Sequence, residues 1–272
     1  MATDAHCHPG DLLKRFPAAE AKRRGQGVSC AAGAWNMADF ICHETLAQKA
    51  RQDRAPQMLL CFAVHPQLPA TGGEEASSSR VSSLLTIMET LAEQGRLDGI
   101  GETGFDLYNP AFRNTEALQD TLFTIHLELA LKKGLPLVLH VRKAMHKVFA
   151  HTQAFKKLPA LIFHSYPGTL GEGEALLRRG INAYFSFGNP IVLGRKETLR
   201  SCAGLPIDRV LLETDAPYQN LPGAPFSHWE DLRMILQAAF RLRKETERFP
   251  GGMEELERII DSNFYRAYGI LH

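Results

Sequence analysis

The chain has 272 residues, 44% of them hydrophobic, and no apolar run approaches the roughly 20 residues of a membrane-spanning helix, so it reads as one large soluble domain. Its 31 Lys and Arg nearly balance its 30 Asp and Glu, which excludes a global field that draws the protein to nucleic acid or anionic lipid; any phosphate recognition has to be local. Cys7, Cys30, Cys42, Cys61 and Cys202 form no Cys-x-x-Cys pair, and the first residues lack the basic-then-apolar pattern of a signal peptide, so a reduced cytoplasmic setting is expected.

In chain order, β-rich runs are predicted near 3–8, 28–33, 58–64, 97–102, 136–141, 160–165, 182–187 and 209–214. Stretches of helical character separate them. Ala38 to Arg51 carries Phe40, Ile41, Leu46, Ala47 and Ala50, and Leu118 to Leu131 repeats Leu118, Leu122, Ile125 and Leu129 at the three-and-four spacing of a buried face. Eight strand–helix alternations in a chain of this length predict an α/β fold, a TIM (β/α)8 barrel. Residues 1–272 read as one domain, because the only linker-like stretch, Thr71 to Ser79, is short enough to be a single loop. That loop, counted from Gln67, is long enough to gate a site at the barrel mouth.

Five of the apolar runs finish on side chains that bind metal ions: Asp4-Ala5-His6-Cys7-His8, Gly101-Glu102, Leu139-His140, Phe163-His164 and Glu213-Thr214-Asp215. In a barrel, catalytic groups stand at the carboxyl ends of the strands, where these residues fall. Strand alternation puts His6 and His8 on one face and Cys7 on the other, packed under a helix. The same alternation pairs Ile100 with Glu102, Val138 with His140, Ile162 with His164 and Glu213 with Asp215. Taken singly, a buried His is usually a hydrogen-bonded core residue and a strand-end carboxylate a helix cap or half an ion pair. Six such groups of one parity at one rim predict instead a shared metal site.

The motifs Asp4-x-His6-x-His8, Gly101-Glu102-x-Gly104-x-Asp106, Pro136-x-x-x-His140-x-Arg142-x-Ala144, His164-x-x-x-Gly168 and Leu212-Glu213-Thr214-Asp215-x-Pro217-Tyr218 resemble the TatD family of metal-dependent hydrolases and deoxyribonucleases. The resemblance covers nearly the whole chain, including Gln119-x-x-x-Phe123 and Ser186-Phe187. It implies phosphodiester hydrolysis with two divalent ions, commonly of DNA from the 3′ end. His6 and His8 would hold one ion, Glu102 would bridge two, His140 and His164 would hold the second, and Asp215 would face the first ion and the attacking water. DNA, as single strands or 3′ ends, is then the expected partner; no membrane and no obligate protein partner is expected.

The chemistry agrees with that expectation. Two cations roughly 3.5–4 Å apart stabilise both the attacking and leaving oxygens of an in-line displacement. Imidazoles favour Zn or Mn and oxygen ligands favour Mg, which leaves all three ions open. Asp215 is the expected general base, with a plain ligand role as its alternative. Glu213 fixes a neighbouring ligand or pairs with a cation. Arg142 could grip a phosphate in bidentate fashion, with Lys143 extending the patch, whereas Lys147 reads as part of a solvated helix face. His65 either touches substrate or is structural.

Departures from the family pattern bear on substrate choice. Ala63-Val64-His65-Pro66-Gln67 lacks the second His of the usual Gly-x-His-Pro-His, Tyr166-Pro167-Gly168 replaces aromatic-Ser-Gly, and Ser227-His228-Trp229 is unusual. A second function class, a metal-dependent hydrolase of small amides, esters or lactones, would often use a carbamylated Lys on the fourth strand; Glu102 ends that run and no Lys stands there. A barrel that only binds metal or a nucleic-acid end is disfavoured, because a lapsed site usually loses a costly buried charge.

Overall fold

The computed structural model describes residues 2–71, 73 and 78–270. Eight strands, β1 Ala2–Cys7, β2 Val28–Ala34, β3 Met58–Phe62, β4 Gly99–Asp106, β5 Leu137–Arg142, β6 Leu161–Phe163, β7 Ala183–Phe187 and β8 Val210–Leu212, pair in parallel in sequence order within one sheet. Helices connect them, as the TIM barrel requires. No helix among the described residues is long and apolar enough to cross a membrane.

Alternation along the strands divides the apolar residues into two layers. Val28, Cys30, Leu60, Phe62, Leu137, Leu139, Phe163, Phe185 and Val210 face the helices. Ala31, Leu59, Cys61, Val138, Ile162, Tyr184 and Leu211 fill the interior together with Phe264 and Tyr265 of helix Met253–Ala267 and with Tyr268 beyond it. That helix stops the end at which the strands begin: Tyr265 Oη meets Ser29 Oγ at 3.1 Å and Asn263 Nδ2 donates to Val210 O at 2.8 Å. The opposite end stays open for the predicted ligands. Cys7 joins the outer layer, as expected.

The seam between β8 and β1 is closed by the residues of that open end. Asp215 N donates to His6 O at 3.0 Å and His8 N to Ala216 O at 2.7 Å. Beneath them the buried Asp4 carboxylate accepts from Thr214 N at 3.0 Å and Thr214 Oγ1 at 2.6 Å. Asp215 itself sits at φ 54°, in the left-handed region that Asp tolerates better than most residues.

Several expectations need correction. Ile100 does not share a face with Glu102: it lies in the outer layer, and the register of β4 against β5 shifts between Ile100 and Thr103, turning Glu102 inward. β4 also continues past Glu102, because Thr103 to Asp106 pair with Leu139 to Arg142. β6 and β8 stop early, so His164, Glu213 and Asp215 stand on the first residues beyond their strands. Helix Met37–Gln52 buries Phe40, His43, Ala47 and Ala50 and leaves Ile41 exposed. Helix Glu116–Lys133 buries Leu122 and Leu129 as expected, with Phe123, Leu127 and Ala130, but its inner face also takes in Gln119 and His126, which bond partners inside, and Leu118 stays exposed. Of the expected loop from Gln67 to Ser79, Leu68–Thr71 is a short helix; residues 72 and 74–77, part of the expected gate, lie outside the described residues.

His126 shows how such polar burial positions the rim. Its Nε2 accepts the amide of Val64, just after β3, at 2.9 Å, and its Nδ1 donates to Leu122 O at 2.5 Å. Burial outweighs the Leu122 bond and lowers its pKa to about 4. The folded pKa lies below the unfolded value of 6.5, so the stabilising contribution is whole above pH 6.5 and is lost as the pH falls towards 4. Over that window the wild type is expected to lose about 3 kcal/mol more stability than His126→Gln, read by urea unfolding. Parallel pH profiles would contradict this.

Candidate metal centre

At the open end the two oxygens of the buried Glu102 face two different groups of imidazoles. Oε2 lies 3.2 Å from His6 Nε2 and 3.9 Å from His8 Nε2. Oε1 lies 2.6 Å from His140 Nδ1, 3.3 Å from His65 Nε2 and 3.6 Å from His164 Nε2. Asp215 spans the same division: its Oδ1 is 3.4 Å from His8 and 3.8 Å from His6, and its Oδ2 is 3.9 Å from His164. The predicted residues therefore converge.

Outer contacts decide which ring nitrogen points inward, and so which would offer its lone pair to a metal once deprotonated. His8 Nδ1 lies 3.1 Å from Gly33 O, a carbonyl that can only accept, so Nδ1 keeps its proton and Nε2 is the nitrogen turned inward. His140 Nε2 lies 3.0 Å from Asp106 Oδ2, which leaves Nδ1 towards Glu102. His164 Nδ1 is 3.0 Å from Glu213 Oε1, near enough for the carboxylate to hold the proton on that side although the pair is not aligned as a hydrogen bond. His65 is the exception. Its Nδ1 accepts the Gln67 amide at 3.2 Å, so Nε2 carries the proton and donates towards Glu102. Thus, although His65, Glu102 and His140 lie close enough together to be considered a ligand triad, His65 is built as a donor.

Charge follows the geometry. Burial alone would raise the Glu102 carboxyl, but His164, His65, His6 and His140 hold it well below the usual carboxylate range. Burial likewise opposes ionisation of Asp215, and His164, His8 and His6 together lower its pKa. Burial disfavours imidazolium at His164, yet Glu213, Glu102 and Asp215 raise it well above its ordinary value. His8 and His140 are raised for the same reason, by Asp215 with Glu102 and by Asp106 with Glu102 respectively, while burial and His164 lower His6. Protons on imidazoles supply the positive charge that the carboxylates demand. The second oxygen of Glu213, Oε2, is buried without a partner.

Above this floor opens a cavity of about 850 Å³, lined by His8, Trp35, His65, Arg142, Ser186, Arg195 and Tyr218 among others. Arg142 lies with its guanidinium carbon 4.2 Å from the centre of the Tyr108 ring and NH1 3.4 Å from Asp106 Oδ2. Lys143 Nζ stands 4.7 Å from the same ring. Lys147 does not lie on a solvated face: it pairs with Glu116 and Asp120, each at 2.7 Å. Trp229 is buried, and Ser227 Oγ donates to Tyr218 O, so that unusual segment braces the loop after Asp215. Sequence reasoning missed Gln219, whose Nε2 donates to Asp215 Oδ2 at 2.8 Å, and the outer roles of Asp106 and Gly33. Gly33 had a readable physical reason: a Cβ there would stand 2.9 Å from His6 Cε1.

Comparison with known proteins places the chain in a family. The family model described as TatD related DNase matches residues 3–269. The "3'-5' ssDNA/RNA exonuclease TatD" of Musicola paradisiaca is 34% identical over 71% of this chain and 73% of that protein. The protein of the same name from Cronobacter sakazakii is 33% identical over 57% of this chain; the chain spans only 56% of that relative's length. In three dimensions the Escherichia coli K12 TatD homolog YJJV superimposes with a TM-score of 0.80 at 24% identity, over 99% of this chain and 98% of that one, a likeness of fold. The chain belongs to the TatD-related DNase family.

Proposed function

We propose that this protein is a divalent-metal-dependent phosphodiesterase that shortens single-stranded nucleic acid, DNA foremost, from its 3′ end. One observation carries the reading: the two oxygens of Glu102 address separate groups of imidazoles on the floor of a cavity that also holds Arg142. The names of the exonuclease relatives support the substrate class and polarity.

The donor set fits two divalent ions. His6, His8 and Asp215 would hold one, His140 and His164 the other, and Glu102 would serve both; the inward nitrogens of His8, His140 and His164, whose other ring nitrogens face outer acceptors, suit that assignment once an ion displaces their protons. Such ions supply Lewis acidity at the phosphate and lower the pKa of water towards neutrality. Around them the chain does the rest. Asp215, held by Gln219, accepts the proton of the attacking water at a carboxylate oxygen. Arg142 donates to a phosphate oxygen, and His65 directs its Nε2 proton into the same space. Cations matter to substrate entry as well, because divalent ions would bring more positive charge to a phosphodiester than the imidazole protons they displace.

With Mn, Mg or Zn, end-labelled single-stranded DNA should shorten from the 3′ end, and His140→Ala and Asp215→Ala should each lower the rate on the order of a hundredfold or more. Metal-independent cleavage, no cleavage with any ion, or much faster turnover of small esters and amides would contradict the reading. Gly33→Ala presses on His6 and should weaken metal binding about tenfold, measured by calorimetry. Unchanged affinity would contradict a metal site that depends on the present placing of His6 against Gly33.

A further inference from the structure

Gln67, the residue standing where the family pattern carries a second histidine, touches both halves of the rim. Its backbone amide fixes His65 Nδ1, and its side chain reaches in the other direction, Nε2 donating to Asp106 Oδ2 at 2.6 Å. Asp106 is fully buried and its backbone is locked on both sides of the peptide: Gln119 Oε1 accepts its amide at 2.8 Å and Gln119 Nε2 donates to its carbonyl at 3.1 Å. Its Oδ1 is taken by the Tyr108 amide at 2.9 Å. All remaining demand falls on Oδ2, which faces Gln67 at 2.6 Å, His140 Nε2 at 3.0 Å and Arg142 NH1 at 3.4 Å.

A carboxylate oxygen has two lone-pair sites, so three donors cannot all be served well. The longest contact is the one to Arg142. By filling a site on Oδ2, Gln67 turns the carboxylate so that His140 is held by its Nε2 proton, and it leaves the guanidinium only loosely bound.

We propose that Gln67 is a positioning residue: through Asp106 it keeps the His140 ring turned so that Nδ1, the nitrogen that would bind a metal, faces Glu102, and it keeps Arg142 available to a substrate phosphate. This rests on the reading of His140 as a metal ligand and Arg142 as a phosphate clamp. A histidine at position 67 would present a titratable ring in place of this neutral amide; here the residue works on the protein and not on the substrate.

The test is Gln67→Met, which keeps the length and the backbone amide but removes the side-chain donor, with Gln67→Glu as a second variant of equal size that also lacks it. Manganese affinity is measured by calorimetry, and kcat and KM on single-stranded DNA are measured at saturating manganese. Both variants should bind manganese about tenfold more weakly, and KM should rise several-fold as Arg142 closes onto Asp106. In an Arg142→Ala background the KM effect should vanish while the loss of metal affinity persists. A merely structural Gln67 would change melting temperature without this split. Unchanged metal affinity and KM in both variants, or a KM rise of equal size with and without Arg142, overturns the inference alone. Failure of the wild type to bind any divalent ion overturns it together with the proposed function.

Discussion

A buried carboxylate surrounded by imidazoles is the constraint on which the open end of this barrel depends. Glu102 is 6% exposed, and an isolated carboxylate in such a place costs several kcal/mol unless charge and hydrogen bonds compensate it. Compensation comes from side chains on β1, β5 and the residues following β3 and β6, which meet only if the sheet closes. Closure in turn runs through the same residues, since His6, His8 and Asp215 supply the backbone hydrogen bonds of the last seam. Fold and site are therefore one problem. The interior below can be ordinary apolar packing, stopped by Phe264, Tyr265 and Tyr268.

The near-neutral net charge conceals a strong local imbalance. Glu102, Asp106, Glu213 and Asp215 crowd the floor, while Arg142 stands at its side partly engaged by Asp106. Divalent ions would take the place of imidazole protons there and bring more positive charge to a polyanion, so metal uptake governs both substrate entry and reactivity in this account. Protonated imidazoles fill the need without ions, and this explains why His140 and His164 are shifted upward while Glu102 is shifted down.

Much of this was legible in the chain because strands repeat with period two. Val138 with His140 and Ile162 with His164 follow that rule, as does Cys7 facing the helices. Ile100 with Glu102 does not, because a register shift inside β4 reverses the pleat, and no composition signal marks the slip. Leu118 shows a second limit: helical spacing found the buried Leu122 and Leu129 but not the edge of the face, where Gln119 and His126 turn inward to bond backbone groups of neighbouring segments. Tertiary partners such as Gln219 on Asp215, or Gln67 on Asp106, come from distant or unpatterned positions and have no local signature. His65 is the informative middle case, since its place near the centre was readable but its role as a donor depended on the Gln67 amide.

Anomalous diffraction from crystals grown with manganese or zinc tests the central claim most directly. The account predicts two peaks, one among His6, His8 and Asp215 and one between His140 and His164, with a different oxygen of Glu102 turned to each. Peaks absent from this floor, or a single ion bound by His65 through Nε2 with Glu102 and His140, would contradict it.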